Sequence, residues 1–258
     1  MLTHKSNTFF LGTVLLLLFI LNFYTDVAWG YFLVVGLFWL VIAVMGSGLI
    51  RMNYHVKAYC ENRKAAGKKV AITFDDGPTP MTPLILDILK KHQVDATFFC
   101  IGSQIEKYPE IFQRILDEGH IVGNHSYTHA NTIGLFSVAE MVSEIQRTDV
   151  IIQKFSGRKV RYYRPPFGVT NPNLAKALQV TPHDVIGWNI RSFDTKIKTA
   201  DKIMKRIERQ LAPGSVILLH DTSLKTVAVL EQLLVFLWEN EYEAVTVEQL
   251  LNLPAYEN

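Results

Sequence analysis

Hydrophobic residues follow two regimes along this chain. Up to about position 50 they run on almost without interruption. Residues 9–24 are apolar apart from Thr13 and Asn22, and residues 27–50 carry no charge at all. The second run has the length of a helix that crosses a bilayer core of about 30 Å, and the first is shorter. Thr25-Asp26 between them reads as a tight polar turn. No small-residue cleavage pattern lies near that turn, and Val27 starts a new apolar run at once, which argues against a cleaved signal peptide. The expectation is a transmembrane helical hairpin over 1–52.

After position 69, short apolar runs of strand type alternate with helical patterns. Strands are expected over 70–74, 96–101, 120–123, 161–164, 184–188, 215–220 and 242–246. Helices are expected over 83–92, 109–118, 137–155, 173–178, 200–211, 225–238 and 247–251. Ser137 is a natural N-cap, with Glu140 at the capping-box position. Strict alternation of β and α implies a parallel sheet with helices outside. About seven parallel strands suit a distorted, closed or nearly closed (β/α) barrel. The predicted fold class is therefore α/β, a distorted barrel preceded by the membrane hairpin. Residues 53–68 are expected to form a basic linker, 69–253 the barrel domain and 254–258 a tail.

Charge adds little to this picture. The 258 residues carry a net charge of +2, so no nucleic-acid partner is expected. Basic residues cluster after the hairpin: Arg51, Lys57, Arg63, Lys64, Lys68 and Lys69, against the single acid Glu61. That is an ordinary positive flank of a membrane span, with membrane lipid as its partner. Cys60 and Cys100 make neither a disulfide framework nor a zinc-type pair.

The chemistry is concentrated at the expected strand ends. Asp75-Asp76-Gly77, His125, Arg164, Asp194 and His220 each follow a predicted strand. In parallel barrels, active sites occupy the carboxyl ends of the strands. His125 and His129 are four residues apart, a spacing that on a helical turn shares one face. Two imidazoles and one carboxylate make the three-ligand set of an open catalytic metal site. A second carboxylate beside that metal could take a proton from bound water. Metal-assisted hydrolysis follows from these residues alone. The lack of a Gly-x-Ser-x-Gly elbow disfavours serine hydrolysis.

Thr73-Phe74-Asp75-Asp76-Gly77, His125-Ser126-Tyr127-Thr128-His129, Arg164-Pro165-Pro166-Phe167 and Leu218-Leu219-His220 together resemble the motifs of the polysaccharide deacetylases of NodB-homology type, carbohydrate esterase family 4. The resemblance covers 69–253. It implies that Asp76, His125 and His129 hold one divalent metal, by default Zn2+, with Co2+ or Ni2+ able to fill the same set. It implies Asp75 as general base, His220 as general acid and Arg164 as the group orienting Asp75. Asp194 would orient Arg164 or His220. The backbone N–H of Phe167 would help to stabilise the oxyanion. Phe167, Phe193, Trp188 and Leu218 would line the substrate groove.

Two departures concern the substrate. Phe167 stands where the family usually has Tyr, and Thr195 stands where it commonly has Trp, which removes one wall of the usual sugar groove. The implied reaction is removal of N-acetyl groups from glycans containing N-acetylglucosamine, such as peptidoglycan or chitooligosaccharides, with release of acetate. The alternatives are deacetylation or deformylation of a lipid-linked sugar, and an inactive sugar-binding membrane module. The implied location is a bacterial-type cell membrane. Lys5 and the basic flank point to a domain facing the cytoplasm, whereas an envelope glycan points outward, so both orientations stay open. Oligomeric state is not readable from the sequence.

Overall fold

The computed structural model describes residues 3–257. Two long helices come first, α1 (His4–Leu21) and α2 (Trp29–Gly48). At 1.5 Å per residue the twenty residues of α2 span about 30 Å. From Phe9 onward both helices are almost wholly apolar, and rings such as Phe9, Trp29 and Phe38 project outward, exposed. They pack on each other and are pinned at their base to the rest of the chain. The Asn7 amide donates to the Tyr54 hydroxyl at 2.8 Å, and the Thr170 N–H donates to the Ser47 carbonyl at 2.9 Å. Tyr54 lies flat against Gly46, where a Cβ would come within 2.3 Å of the ring, so only glycine permits the contact.

The catalytic half follows as β1 (Ala58–Tyr59), β2 (Lys69–Asp75), α3 (Thr82–His92), β3 (Thr97–Cys100), α4 (Gly102–Lys107), α5 (Pro109–Asp117), β4 (Ile121–Asn124), α6 (Val138–Ser156), β5 (Tyr162–Tyr163), α7 (Pro172–Val180), β6 (Asp184–Ile186), β7 (Ile190–Arg191), α8 (Ala200–Glu208), β8 (Val216–His220), α9 (Leu224–Glu239), β9 (Glu243–Val245) and α10 (Val247–Leu251). The capping box expected at Ser137 and Glu140 opens α6.

All pairings between these strands are parallel. The order is β1-β6-β5-β4-β3-β2-β8-β7, with β9 joined to β2. Nine strands form the sheet instead of about seven, and among the described residues nothing pairs β1 with β7, so the barrel is open there. β2 is the hub. One edge meets β8 from Ala71 to Asp75, while the other meets β9 over its first residues and β3 over its last. Strands covered on both faces read as continuous apolar runs, and Val70, Ala71, Ile72, Phe98, Phe99, Ile217 and Leu219 are accordingly buried.

Two expected boundaries need correction. The segment 53–68 is no linker, because it supplies β1, which pairs with β6 through Ala58–Val185 and Tyr59–Ile186. Residues 254–257 are no loose tail. Ala255 is buried, its carbonyl accepts the Arg161 N–H at 2.8 Å, and Tyr256 bridges to Val160.

Candidate active site

Every strand named above that leads to a candidate residue delivers it to one end of the sheet. β2 ends on Asp75, β4 runs directly into His125, β5 into Arg164, β7 towards Asp194, and β8 ends on His220. Asp75 and His220 are register partners on adjacent strands. Parallel strands lie about 4.8 Å apart, so the backbone alone brings these two side chains to one place.

The two histidines meet for a different reason from the one expected. Residues 125–130 form a loop, not a helical turn. Ser126 and His129 adopt left-handed backbone angles, φ 64° and 51°, which fold the loop back on itself. The ring centroids of His125 and His129 then lie 4.9 Å apart. The loop is held from below. The Glu144 carboxylate accepts the N–H groups of Tyr127 at 3.0 Å and Thr128 at 2.8 Å, and the Asn124 side chain accepts the Ser126 N–H at 2.8 Å. Asp76 is also left-handed, φ 76°.

Asp76, His125 and His129 converge, each offering one ligand atom within 4.8 Å of the others. Nε2 of His125 and of His129 lie 3.5 Å and 3.4 Å from the same Asp76 oxygen. Nδ1 of His125 sits 2.7 Å from the Arg164 carbonyl, which can only accept, so Nδ1 donates and Nε2 faces the cluster with its lone pair. Burial pushes the Asp76 carboxyl up, but the surrounding imidazoles, His125 first and then His220 and His129, outweigh it and bring it down to about 2. Burial and the neighbouring His125 push His129 down to about 4. An ionised carboxylate beside a neutral imidazole is the protonation state that a metal site requires. The residues present therefore fit a divalent cation.

Arg164 is fully buried behind this cluster. It donates to Asp75 at 2.7 Å, to the Thr73 hydroxyl at 2.8 Å and to the carbonyls of Ile186 and Gly187, each at 3.0 Å. Its guanidinium lies 3.9 Å from the centre of the Phe99 ring. Asp194 is equally buried and turns to His220, with Oδ1 2.7 Å from the His220 Nδ1 and Oδ2 accepting the His220 N–H at 2.8 Å. Ser192 and Thr226 hydroxyls hold the same carboxylate. Burial alone would lower the His220 pKa. The Asp194 hydrogen bond and charge, with Asp75 and Asp76 nearby, instead raise it to about 9.

The expected groove residues divide. Phe167 is left-handed, half exposed, and packs its ring 4.6 Å from that of His129, at the mouth of the cluster. Trp188 is buried beneath Gly168 and Arg164. Phe193 sits between the guanidiniums of Arg191 and Arg206, at 5.0 Å and 4.5 Å. Leu218 lines no open groove. It shares His220's face of β8 but lies two residues deeper in the core, 1% exposed. Thr195 is exposed.

Asp221 was not anticipated from the sequence. It is buried one residue after His220, accepts the Thr82 hydroxyl at 2.5 Å, and receives the Thr79 hydroxyl on its carbonyl. Its carboxyl presses on Gly77, where a Cβ would lie 2.2 Å from Oδ2. Burial raises its pKa to about 7. The available signal was an acid directly behind a strand-end histidine in Leu219-His220-Asp221.

A family model described as polysaccharide deacetylase matches residues 62–186. The peptidoglycan-N-acetylmuramic acid deacetylase PdaC of Bacillus subtilis is 39% identical over 71% of this chain and 38% of its own length. A peptidoglycan-N-acetylglucosamine deacetylase of Bacillus cereus is 40% identical over 60% of this chain and 56% of its own. The chain thus spans about half or less of these relatives. The solved structure of the Bc1960 peptidoglycan N-acetylglucosamine deacetylase superposes with a TM-score of 0.73 at 33% identity, covering 78% of this chain and 94% of that one.

Proposed function

The chain belongs to the polysaccharide deacetylase family, and from that premise we propose that it hydrolyses N-acetyl groups on glycans containing N-acetylglucosamine, releasing acetate and leaving a free amine. The observation that carries this reading is the register pairing of Asp75 with His220 across the three-donor cluster of Asp76, His125 and His129. Peptidoglycan is the favoured polymer, since the relatives are named for its two amino sugars, and chitooligosaccharides are the next candidate.

Asp76, His125 and His129 would hold one divalent cation, Zn2+ by donor type. When bound, it supplies a Lewis acid for the acetyl carbonyl and lowers the pKa of water. Asp75 takes the proton of the attacking water, and its bond to Arg164 keeps the acceptor oxygen aimed. His220, protonated at neutral pH through Asp194, gives its proton to the departing amine nitrogen. The Phe167 backbone N–H donates to the developing oxyanion. Phe167, beside His129, supplies an aromatic face for the sugar.

In this reading residues 1–52 enter the membrane as a hairpin, which places the catalytic domain at the bilayer surface. That placement favours a second substrate, a lipid-linked N-acetyl sugar. The full chain in detergent, given peptidoglycan fragments, chitooligosaccharides and lipid-linked N-acetyl sugars in parallel, separates these readings by acetate and free-amine release. No acetate from any N-acetylated glycan overturns the assignment.

A further inference from the structure

Three arginines and Phe193 line a small cavity. Arg51 follows the end of α2, Arg191 ends β7, and Arg206 lies on α8. They share a cavity of about 180 Å³ with Trp188, Phe193 and the Gly48–Ile50 end of the apolar hairpin. At about 30 Å³ per water, that space accepts a phosphate-sized group. No acidic residue lines it, and among the described residues none of the three guanidiniums has a carboxylate partner within 4.0 Å.

Their packing leaves most donors free. Arg51 reaches only the Asn189 carbonyl, at 3.4 Å. Arg206 uses Nε on the Arg191 carbonyl at 2.8 Å, which leaves its terminal nitrogens. Arg191 stacks over Trp188 and Phe193, which orients a guanidinium without consuming its N–H groups. Three like charges gathered on aromatic faces with no acid among them need an anion, and planar guanidiniums suit phosphate oxygens. A positive flank of a membrane span explains Arg51 alone. Arg191 and Arg206 come from 140 and more residues later in the chain, brought there by the fold.

We propose that this cavity binds the phosphate of a membrane lipid, whose acyl chains lie along α2. Leu49 lines the cavity and caps α2, and Met45 and Val41 precede it by four and eight residues, on one helix face, all exposed and apolar, so the site offers an amphiphile both of its surfaces. The proposal rests on the reading of residues 1–52 as a membrane hairpin. It ties the bilayer to the candidate active site, because Phe193 packs under the guanidiniums of Arg191 and Arg206 and is followed by Asp194, which holds His220.

The test uses the full chain in neutral detergent, with native mass spectrometry to count retained phosphatidic acid against retained phosphatidylcholine. The wild type keeps phosphatidic acid preferentially. Arg191→Gln and Arg51→Gln each lower that preference about tenfold, the size expected for losing one charge-assisted hydrogen bond. Arg51→Gln serves as the second variant because, among the described residues, the Arg51 side chain makes a single long hydrogen bond. Arg209→Gln removes the same charge from the exposed end of α8, outside the cavity, and leaves the preference intact. Equal retention of the two lipids by the wild type overturns the proposal, and so does an equal loss with Arg209→Gln. Inorganic phosphate that displaces no lipid, yet protects the wild type and not Arg191→Gln against thermal unfolding, assigns the site to soluble phosphate and also overturns it. Flotation with phosphatidylcholine vesicles checks the hairpin separately. A chain that does not float sinks the membrane reading whatever the arginines bind.

Discussion

Asp194 grips His220 twice, once at the imidazole Nδ1 at 2.7 Å and once at the backbone N–H at 2.8 Å. The sequence left Asp194 free to serve either Arg164 or His220. The structure places it on His220, while Arg164 binds Asp75. Asp75 and His220 therefore each have a buried partner of opposite charge.

That pairing has a pH signature. Protonated His220 gains Asp194 on folding, so its pKa of about 9 stands above the 6.5 of an unpaired imidazole. The stability it contributes is fully present below about pH 6.5 and is lost as pH rises through about 9. Asp194→Asn is expected to move the basic limb of the kcat profile to lower pH. It should also flatten the fall in melting temperature over the same window. An unmoved basic limb shows that His220 is not the acid.

His125→Ala or His129→Ala should remove bound metal and activity together, measured as metal content after gel filtration alongside acetate release. Asp75→Asn should keep the metal and lose about 10²-fold or more in kcat, the usual cost of removing a general base. Full activity after exhaustive chelation contradicts the metal mechanism.

Arg164→Met removes the guanidinium from the buried Asp75 carboxylate. Breaking a buried pair from one side costs about 3–5 kcal/mol. Chemical denaturation should register a loss of that order, whereas a surface pair such as Lys68–Glu241 should give almost none on Lys68→Gln.

His220→Ala should harm amide cleavage far more than cleavage of an activated acetyl ester, since a good leaving group departs without a proton donor. Parallel assays of N-acetyl glycan and aryl acetate measure the difference. Equal losses on both remove His220 from the role of acid.

Orientation in the membrane is open to chemical labelling. Neither native thiol suits, because Cys60 and Cys100 are both buried. Lys64→Cys introduces an exposed thiol in the domain. An envelope glycan substrate predicts that an impermeant thiol reagent labels it in intact cells, and protection until lysis places the domain inside.

Much of this was legible in the sequence because the apolar runs of β2, β3, β4 and β8 are long enough to carry a pattern and end on chemistry-bearing residues. β1 and β7 have two residues each, too few for any periodicity. α4 is six residues long and merges with α5 in any sequence window. The His125–His129 spacing pointed to the right pair by the wrong geometry, since left-handed turns at Ser126 and His129 depend on Glu144 from another helix. Asp221 left only the faint signal of an acid behind a strand-end histidine, and the Arg51, Arg191 and Arg206 group left no local trace. Their neighbours are far away in the chain, and only the curled sheet brings them together.

The register of β2 against β8 also bears on how such an enzyme can diversify. Asp75 and His220 are spaced by a ladder of main-chain hydrogen bonds, from Ala71–Val216 to Asp75–His220. A slip of one residue would turn every side chain of the strand to the opposite face, so intermediate spacings do not exist. The spacing of the Asp75 and His220 backbones is thus quantised by the ladder and cannot drift with side-chain substitution. New substrates can be reached only through the loops beyond the strand ends, where Phe167, Phe193 and Thr195 already vary the surroundings of an unchanging reaction centre.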